Sequence, residues 1–370
     1  MTRSAEAVHG GDVARAALEF GVPAESILDF SANLNPAGLP AGALDRLARD
    51  VRDPRVISEY PDAAASTLRR SLSLRLDVPL ESIVLGAGAD SLILGALRAR
   101  APRRCLIPVP AFSEYARACR ARGCEIQRIE LRADDGFRLP DNAWRMVRPG
   151  DLVILNNPHN PTGAGASRAE MLDRIAAIRA AGAAVLADEA FVDYAPDAAI
   201  TREAASTPGL IAIRSLTKFF GCAGLRVGYA VAEPETARTL AAQLSAWPVT
   251  TLALHALVEA LEDNDYIRAT LDANQQARAQ FADSLAELGC RVFPPSANFL
   301  FLQLPAGFRA TAVRDRLVRE CAILVRECDS FENLAPGRYL RVAVRRESEN
   351  RRLLEGLAAI LGPTSCQSST

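Results

Sequence analysis

Between about residues 82 and 231, short apolar runs alternate with helical patterns, and this rhythm restricts the fold more than any other feature. The runs at 83–85, 105–109, 152–155, 183–187 and 210–213 are apolar without a break or nearly so. A strand that shows no polar alternation is covered on both faces. Residues 125–131 alternate as a strand, and 225–231 reads as one more. Between them, 91–99, 113–121 and 168–181 read as helices. The βαβα order predicts a mostly parallel sheet with helices on both faces.

The chain changes character after residue 249. A long helical stretch, 250–288, is expected to break or bend somewhere along its length. Beyond it the pattern predicts a strand at 298–302, a helix at 310–321, strands at 323–325 and 339–344, and a helix at 348–361. The fold class expected is α/β: a large domain over 46–248 with a mostly parallel central sheet flanked by helices, plus a smaller α+β domain. Residues 1–45, with their glycines, prolines and asparagines, are expected to join 249–370 in the smaller domain. There are no internal repeats, and 364–370 reads as a disordered tail.

Composition removes several classes of function. The formal net charge is −1 and the arginines are scattered among acids, so nothing favours nucleic-acid binding. No apolar run approaches the roughly 20 residues of a membrane helix, and no apolar segment opens the chain as a signal peptide would. The eight cysteines are far apart and form no paired CxxC spacing, which argues against structural zinc. They read as reduced thiols of a cytoplasmic protein. No metal site is expected.

One lysine, Lys218, stands against 42 arginines (43 Lys+Arg less one). A chain that takes arginine almost everywhere keeps lysine where arginine cannot do the chemistry. A guanidinium stays protonated, whereas a lysine amine can lose its proton and attack a carbonyl. Lys218 follows the apolar run 210–213 and is expected on a loop just past a strand end, where α/β proteins place their chemistry.

Three more features fall at strand ends upstream. Gly86-Ala87-Gly88-Ala89-Asp90 follows one strand and opens a helix, as an anion cradle does, although a lone GxG is more often a plain turn. Asn156-Asn157-Pro158-His159-Asn160-Pro161-Thr162-Gly163 follows another, with Asn160 offering an amide donor. Asp188, in Asp188-Glu189-Ala190-Phe191, ends a third. An amine, an anion cradle, an amide and a carboxylate at the ends of one sheet are what pyridoxal 5′-phosphate requires: lysine for its aldehyde, an acid for its ring nitrogen. A dinucleotide site on the glycine turn is excluded because Ser91 stands at the last position of GxGxxG.

With these motifs, from about residue 5 to 360, the chain resembles the fold-type I pyridoxal-phosphate enzymes of the class I/II aminotransferase superfamily. The resemblance implies that Lys218 holds the cofactor aldehyde and that Asp188 pairs with the ring nitrogen. It implies further that Asn160 bonds the ring oxygen, with a part in substrate binding, and that Phe112 stacks on the ring. Gly88, Ala89, Asp90, Ser215, Thr217 and Arg226 are implied to hold the phosphate. Tyr60 resembles the tyrosine that reaches the phosphate of a neighbouring subunit, which implies a homodimer. Arg341 resembles the arginine that forks onto the substrate carboxylate.

Within the superfamily, His9-Gly10-Gly11-Asp12-Val13 and Leu28-Asp29-Phe30-Ser31-Ala32-Asn33-Leu34-Asn35-Pro36 resemble a decarboxylase branch. Its members act on O-phospho-L-threonine and make (R)-1-amino-2-propanol phosphate for cobalamin biosynthesis. Phe191 stands where aminotransferases usually carry tyrosine, three residues after the ring-nitrogen acid, and Ile323-Leu324-Val325-Arg326-Glu327-Cys328 also resembles that branch. His9, Gly10, Asn33, Asn160, Arg326 and Arg341 are thereby implied to bind the substrate. The alternatives are a histidinol-phosphate-type aminotransferase and a non-catalytic regulatory domain; the latter normally adds a DNA-binding segment, for which this chain has neither spare length nor a basic patch.

Overall fold

The computed structural model describes residues 10–140 and 142–362. They form two compact units. One comprises Leu34–Asn160 and Ala164–Leu271; the other comprises Met1–Asn33, Pro161–Gly163 and Asp272–Thr370, as far as these are described.

The larger unit is built on a seven-stranded sheet. Its order is Ile83–Gly86, Gly228–Ala232, Leu210–Ser215, Ala184–Asp188, Leu152–Asn156, Arg104–Val109, Glu125–Glu130. Gly228–Ala232 runs antiparallel to both neighbours and every other pairing is parallel. The unbroken apolar runs are explained by burial on two faces. Val153, Leu155, Val185, Ala187, Leu210 and Ala212 enter one core with helices Ser66–Leu76, Arg168–Ala180 and Thr251–Glu262. Ile154, Leu186, Ile211 and Ile213 enter the other with helices Ala89–Arg100, Ser113–Arg122 and Pro234–Ala241. Successive side chains point to opposite faces, so both sets must be apolar.

The smaller unit pairs Arg326–Glu327, Tyr339–Ala343, Phe299–Gln303 and Arg291–Val292 in an antiparallel sheet. Leu28–Asp29 pairs in parallel with Ile323–Leu324. Helices Ala310–Cys321 and Glu347–Leu361 contribute to a core that includes Phe30, Phe281, Leu300, Leu340, Leu353 and Leu357. Among the described residues no helix is long and apolar enough to cross a membrane.

The structure differs from the sequence expectation in four places. The strand expected at 225–231 begins only at Gly228, because Arg226 adopts a left-handed conformation (φ 53°) that no strand accommodates. The strand expected at 323–325 ends at Leu324, and a second short strand, Arg326–Glu327, follows it and pairs with a different partner. Lys218 sits in a short helix, Leu216–Phe219, rather than on a loop. The units divide at 33/34 and 271/272, against 45/46 and 248/249 expected.

This last difference has a local cause. Helices Ala41–Asp50 and Thr251–Glu262 meet through a charged group in the larger unit. Arg46 Nε donates to Asp50 Oδ1 at 3.0 Å, and His255 Nδ1 lies 2.7 Å from Asp50 Oδ2. Burial pushes the Asp50 carboxyl up, but His255 and Arg46 outweigh it and the net shift is down. A carboxyl held low contributes stability above its unfolded value near 3.8, lost as pH falls through the folded value. Asp50→Asn is expected to cost about 1.5–3 kcal/mol at neutral pH, the worth of hydrogen bonds to a charged group. Urea unfolding should show that loss shrinking below pH 4.

Candidate active site

Adjacent parallel strands bring their C-terminal ends to one edge of the sheet, so residues far apart in sequence become neighbours. Asn156 and Asp188 are register partners at the ends of their strands. On the antiparallel side, Gly86 pairs with Gly228, and Gly228 with Ser215. The acid, the glycine turn and the strand leading to Lys218 therefore share one edge.

Asp188 is the buried acid of this edge, 4% exposed. Its Oδ1 accepts the Ala190 N–H at 2.9 Å, and its Oδ2 accepts the Tyr115 hydroxyl. Its own carbonyl accepts Asn156 Nδ2 at 2.9 Å and Asn157 N at 3.0 Å, which fixes the strand end. Burial pushes the carboxyl above its ordinary value, while Tyr115, Ala190 and the charge of Lys218 pull it back. Burial also holds the Tyr115 phenol well above 10, so it stays a donor. Tyr115 was not assigned a role from sequence. The available signal was its nearness to Phe112: Phe112 caps helix Ser113–Arg122, Tyr115 lies in its first turn, and the two rings meet edge to face at 5.6 Å.

The glycine turn approaches other backbone closely. Gly88 has φ 81° and caps helix Ala89–Arg100. A Cβ on Gly88 would lie 2.6 Å from Arg226 Nη2 and from Asp90 Oδ1, and one on Gly228 would lie 2.8 Å from Ala89 N. Arg226 Nη2 donates to Asp90 Oδ1 at 3.0 Å, and the Ser215 and Thr217 hydroxyls are hydrogen-bonded at 2.8 Å. Gly88, Ala89, Asp90 and Arg226 are thus brought together, beside the strand end that carries Ser215 and Thr217. The N–H groups at the start of a helix and a guanidinium form an anion-binding arrangement. Asn160 is anchored on the same edge, its N–H donating to Asn156 Oδ1 at 2.7 Å. Lys218 is half-buried. Tyr60 lies on the surface, 78% exposed, with its ring stacked at 4.5 Å on Trp247.

In the smaller unit, Arg326 and Arg341 are directly opposed across an antiparallel pair. Both are buried. Arg326 donates to Glu327 O at 2.6 Å and to Ser330 Oγ at 2.5 Å, and lies over the Phe331 ring. Arg341 donates to Ser31 O at 3.0 Å and lies over the Phe299 ring. Burial pushes both guanidinium groups down, Arg341 to about 10, with Arg326 adding like-charge repulsion. Opposed like charges destabilise a strand pair, and an anion between them reverses the sign. Gly10 packs onto the same carbonyl: a Cβ there would lie 2.0 Å from Ser31 O. Asn33 is buried, and its Oδ1 has no hydrogen-bond partner. His9 lies outside the described residues.

Residues 25–357 match the family described as aminotransferase class I and II. The chain is 35% identical over 358 residues to a threonine-phosphate decarboxylase of Salmonella typhimurium strain LT2, covering 95% of this chain and 96% of the relative. Among solved structures, a histidinol-phosphate aminotransferase from Clostridium acetobutylicum superposes with a TM-score of 0.82 at 27% identity, covering 90% of this chain and 99% of that one. An L-threonine-O-3-phosphate decarboxylase from Porphyromonas gingivalis does so with a TM-score of 0.76 at 26% identity, covering 89% and 99%. The chain belongs to the aminotransferase class I and II family, and its fold is that of the fold-type I enzymes.

A carboxyl raised by burial contributes stability below its unfolded value and loses it as pH rises through the folded one. Asp188 is therefore a burden on the apoprotein at neutral pH. Asp188→Asn is expected to leave the apoprotein as stable or about 0.5–2 kcal/mol more stable at pH 7, while cofactor retention falls. Urea unfolding of the two apoproteins against pH, with absorbance for bound cofactor, measures both effects.

Proposed function

We propose that this chain is a pyridoxal 5′-phosphate-dependent decarboxylase of O-phospho-L-threonine, forming (R)-1-amino-2-propanol phosphate for cobalamin biosynthesis. The observation that carries the reading is the 35% identity, along nearly the whole of both chains, to a threonine-phosphate decarboxylase.

The residues present fit the cofactor. Gly88 lets Arg226 come close to the start of helix Ala89–Arg100, since a Cβ there would lie 2.6 Å from Arg226 Nη2, and that guanidinium with the Ala89 and Asp90 amides would hold a phosphate. Ser215 and Thr217 would add hydroxyls, Asp188 would offer its buried carboxyl to the ring nitrogen, Asn160 would offer an amide to the ring oxygen, and Phe112 would stack on the ring. When bound, the cofactor supplies an aldehyde for the amine and a ring that accepts an electron pair. Phe191, buried three residues after Asp188, brings no hydroxyl to the ring oxygen.

Reaction choice follows from pose. A decarboxylase would have to orient the substrate carboxylate for cleavage, an aminotransferase the α-hydrogen, and the residues that grip the substrate anions would make that choice. Arg341 and Arg326 bind the two anionic groups of the substrate, with Gly10, Asn33 and His9 completing the grip. As the Cα–carboxylate bond broke and CO2 left, the bonding pair would stay with Cα, and Lys218 Nζ, as the ammonium, would donate the proton that takes it up.

The active unit is a homodimer. An aromatic pair as exposed as Tyr60 (78%) and Trp247 (48%) suits burial by a second copy. Tyr60 reaches the partner's cofactor phosphate, and Tyr60→Phe weakens cofactor retention by roughly 1 kcal/mol, one hydrogen bond. A fully active monomer in sedimentation would refute this.

Supplied with O-phospho-L-threonine, the purified holoenzyme is expected to release CO2 with little 2-oxoacid. Arg341→Ala and Arg326→Ala should each cost about 2–5 kcal/mol in kcat/KM, because a substrate anion is left unpaired. The competing reading is a histidinol-phosphate aminotransferase, a solved structure of which superposes with a TM-score of 0.82, against 0.76 for the decarboxylase. Glutamate formation from histidinol phosphate and 2-oxoglutarate, with no CO2 from O-phospho-L-threonine, would establish it instead.

A further inference from the structure

Asn35 reaches the Lys218 turn and was given no part in the chemistry above. Its backbone N–H donates to Lys218 O at 3.1 Å, and its side-chain Nδ2 donates to Phe219 O at 2.9 Å. The same Nδ2 lies 2.9 Å from Tyr266 Oη and 3.4 Å from Thr270 Oγ1, both on helix Asn264–Glu287. Tyr266 Oη in turn donates to Gly38 O. Asn35 Oδ1 accepts the Ala37 N–H at 3.0 Å, which closes its own turn. The carboxamide is buried, 9% exposed, and every polar atom is used.

The fit is close on the other side too. Gly221 has φ 57°, and a Cβ there would lie 2.6 Å from Asn35 O and 2.8 Å from Gly38 Cα. Tyr194 Oη also donates to Lys218 O, at 3.4 Å. The carbonyl of the lysine is thus held from two directions.

The position of Asn35 in the chain adds a second point. It is the second residue of the larger unit after the boundary at Asn33/Leu34. Thr270 is the second residue before the boundary at Leu271/Asp272. One side chain therefore ties the lysine turn to both of these crossings of the backbone.

We propose that Asn35 is a positioning residue for Lys218, fixing the short lysine helix to the two chain crossings so that the amine keeps one reactive geometry. The proposal rests on the reading of Lys218 as the residue that holds the cofactor. Without Asn35, Phe219 O loses its donor and the lysine turn can rotate against helix Asn264–Glu287. Displacing a reacting group by about 1 Å lowers turnover by roughly a hundredfold.

Asn35→Ala in the holoenzyme should therefore lower kcat by roughly 10- to 100-fold and change KM by less than about threefold. Amides of residues 218–221 should exchange hydrogen faster than in wild type. A double-mutant cycle separates positioning from general support. Asn35→Ala should weaken pyridoxal phosphate binding several-fold where Lys218 is present and leave it unchanged in Lys218→Ala. If Asn35→Ala proves unstable, Tyr266→Phe removes the two bonds at the far end, from Asn35 Nδ2 and to Gly38 O, and a smaller loss with the same dependence on Lys218 is expected. Equal losses in both backgrounds, or none in either, would overturn the role of Asn35 alone. Wild-type cofactor affinity in Lys218→Ala would overturn this role together with the reading of Lys218.

Discussion

A carboxylate buried at the end of a parallel strand is the constraint around which this site is arranged. Removing an ionised acid from water costs several kcal/mol unless donors and an opposite charge replace the water. Asp188 receives the Ala190 N–H from its own turn and the Tyr115 hydroxyl from a helix two strands away. Two asparagines hold its carbonyl from the neighbouring strand end. Lys218 comes from the next strand on the other side, and its charge acts in the same direction. All of these partners except Ala190 depend on strand order, so the sheet is what makes the acid tolerable. A carboxyl pushed up by burial and steadied by such partners suits function better than stability.

The sheet itself was legible in the sequence because its strands are buried on two faces. Leu152 to Leu155 and Leu210 to Ile213 carry no polar residue, and few other structures tolerate that. The peripheral helices were harder to read. Ser66–Leu76 carries Arg69, Arg70 and Arg75 and buries only Leu68 and Leu72, so its apolar stripe is narrow. The break in the expected helix 250–288 was anticipated, and it falls at Asp263, between Thr251–Glu262 and Asn264–Glu287. The start of the strand at Gly228 was not. Nothing in Leu225-Arg226-Val227 announces that the arginine turns left-handed to reach Asp90.

The candidate site divides in the same way. Lys218, Asp188, Asn160 and the Gly86–Asp90 turn were legible because each follows an apolar run, and strand ends in such a sheet converge. The contact of Tyr115 with Asp188 was not, since it requires knowing that Arg104–Val109 lies two strands from Ala184–Asp188. The opposition of Arg326 and Arg341 depends on the register of two strands that no local pattern fixes. Asn35 sits in a motif that draws the eye to Asn33, yet its partners Phe219, Tyr266 and Thr270 are some 180 to 240 residues distant, at |i−j| of 184, 231 and 235.

On the proposed reading arginine and lysine divide the work in this chain: arginine binds anions with a fixed fork and keeps its charge, whereas the one lysine, Lys218, supplies the amine that attacks a carbonyl. The measurement that tests this most directly is borohydride reduction of the purified protein, followed by peptide mapping. The account predicts a single reduced cofactor adduct, on Lys218. An adduct on the N-terminal amine, or no adduct at all, would contradict it.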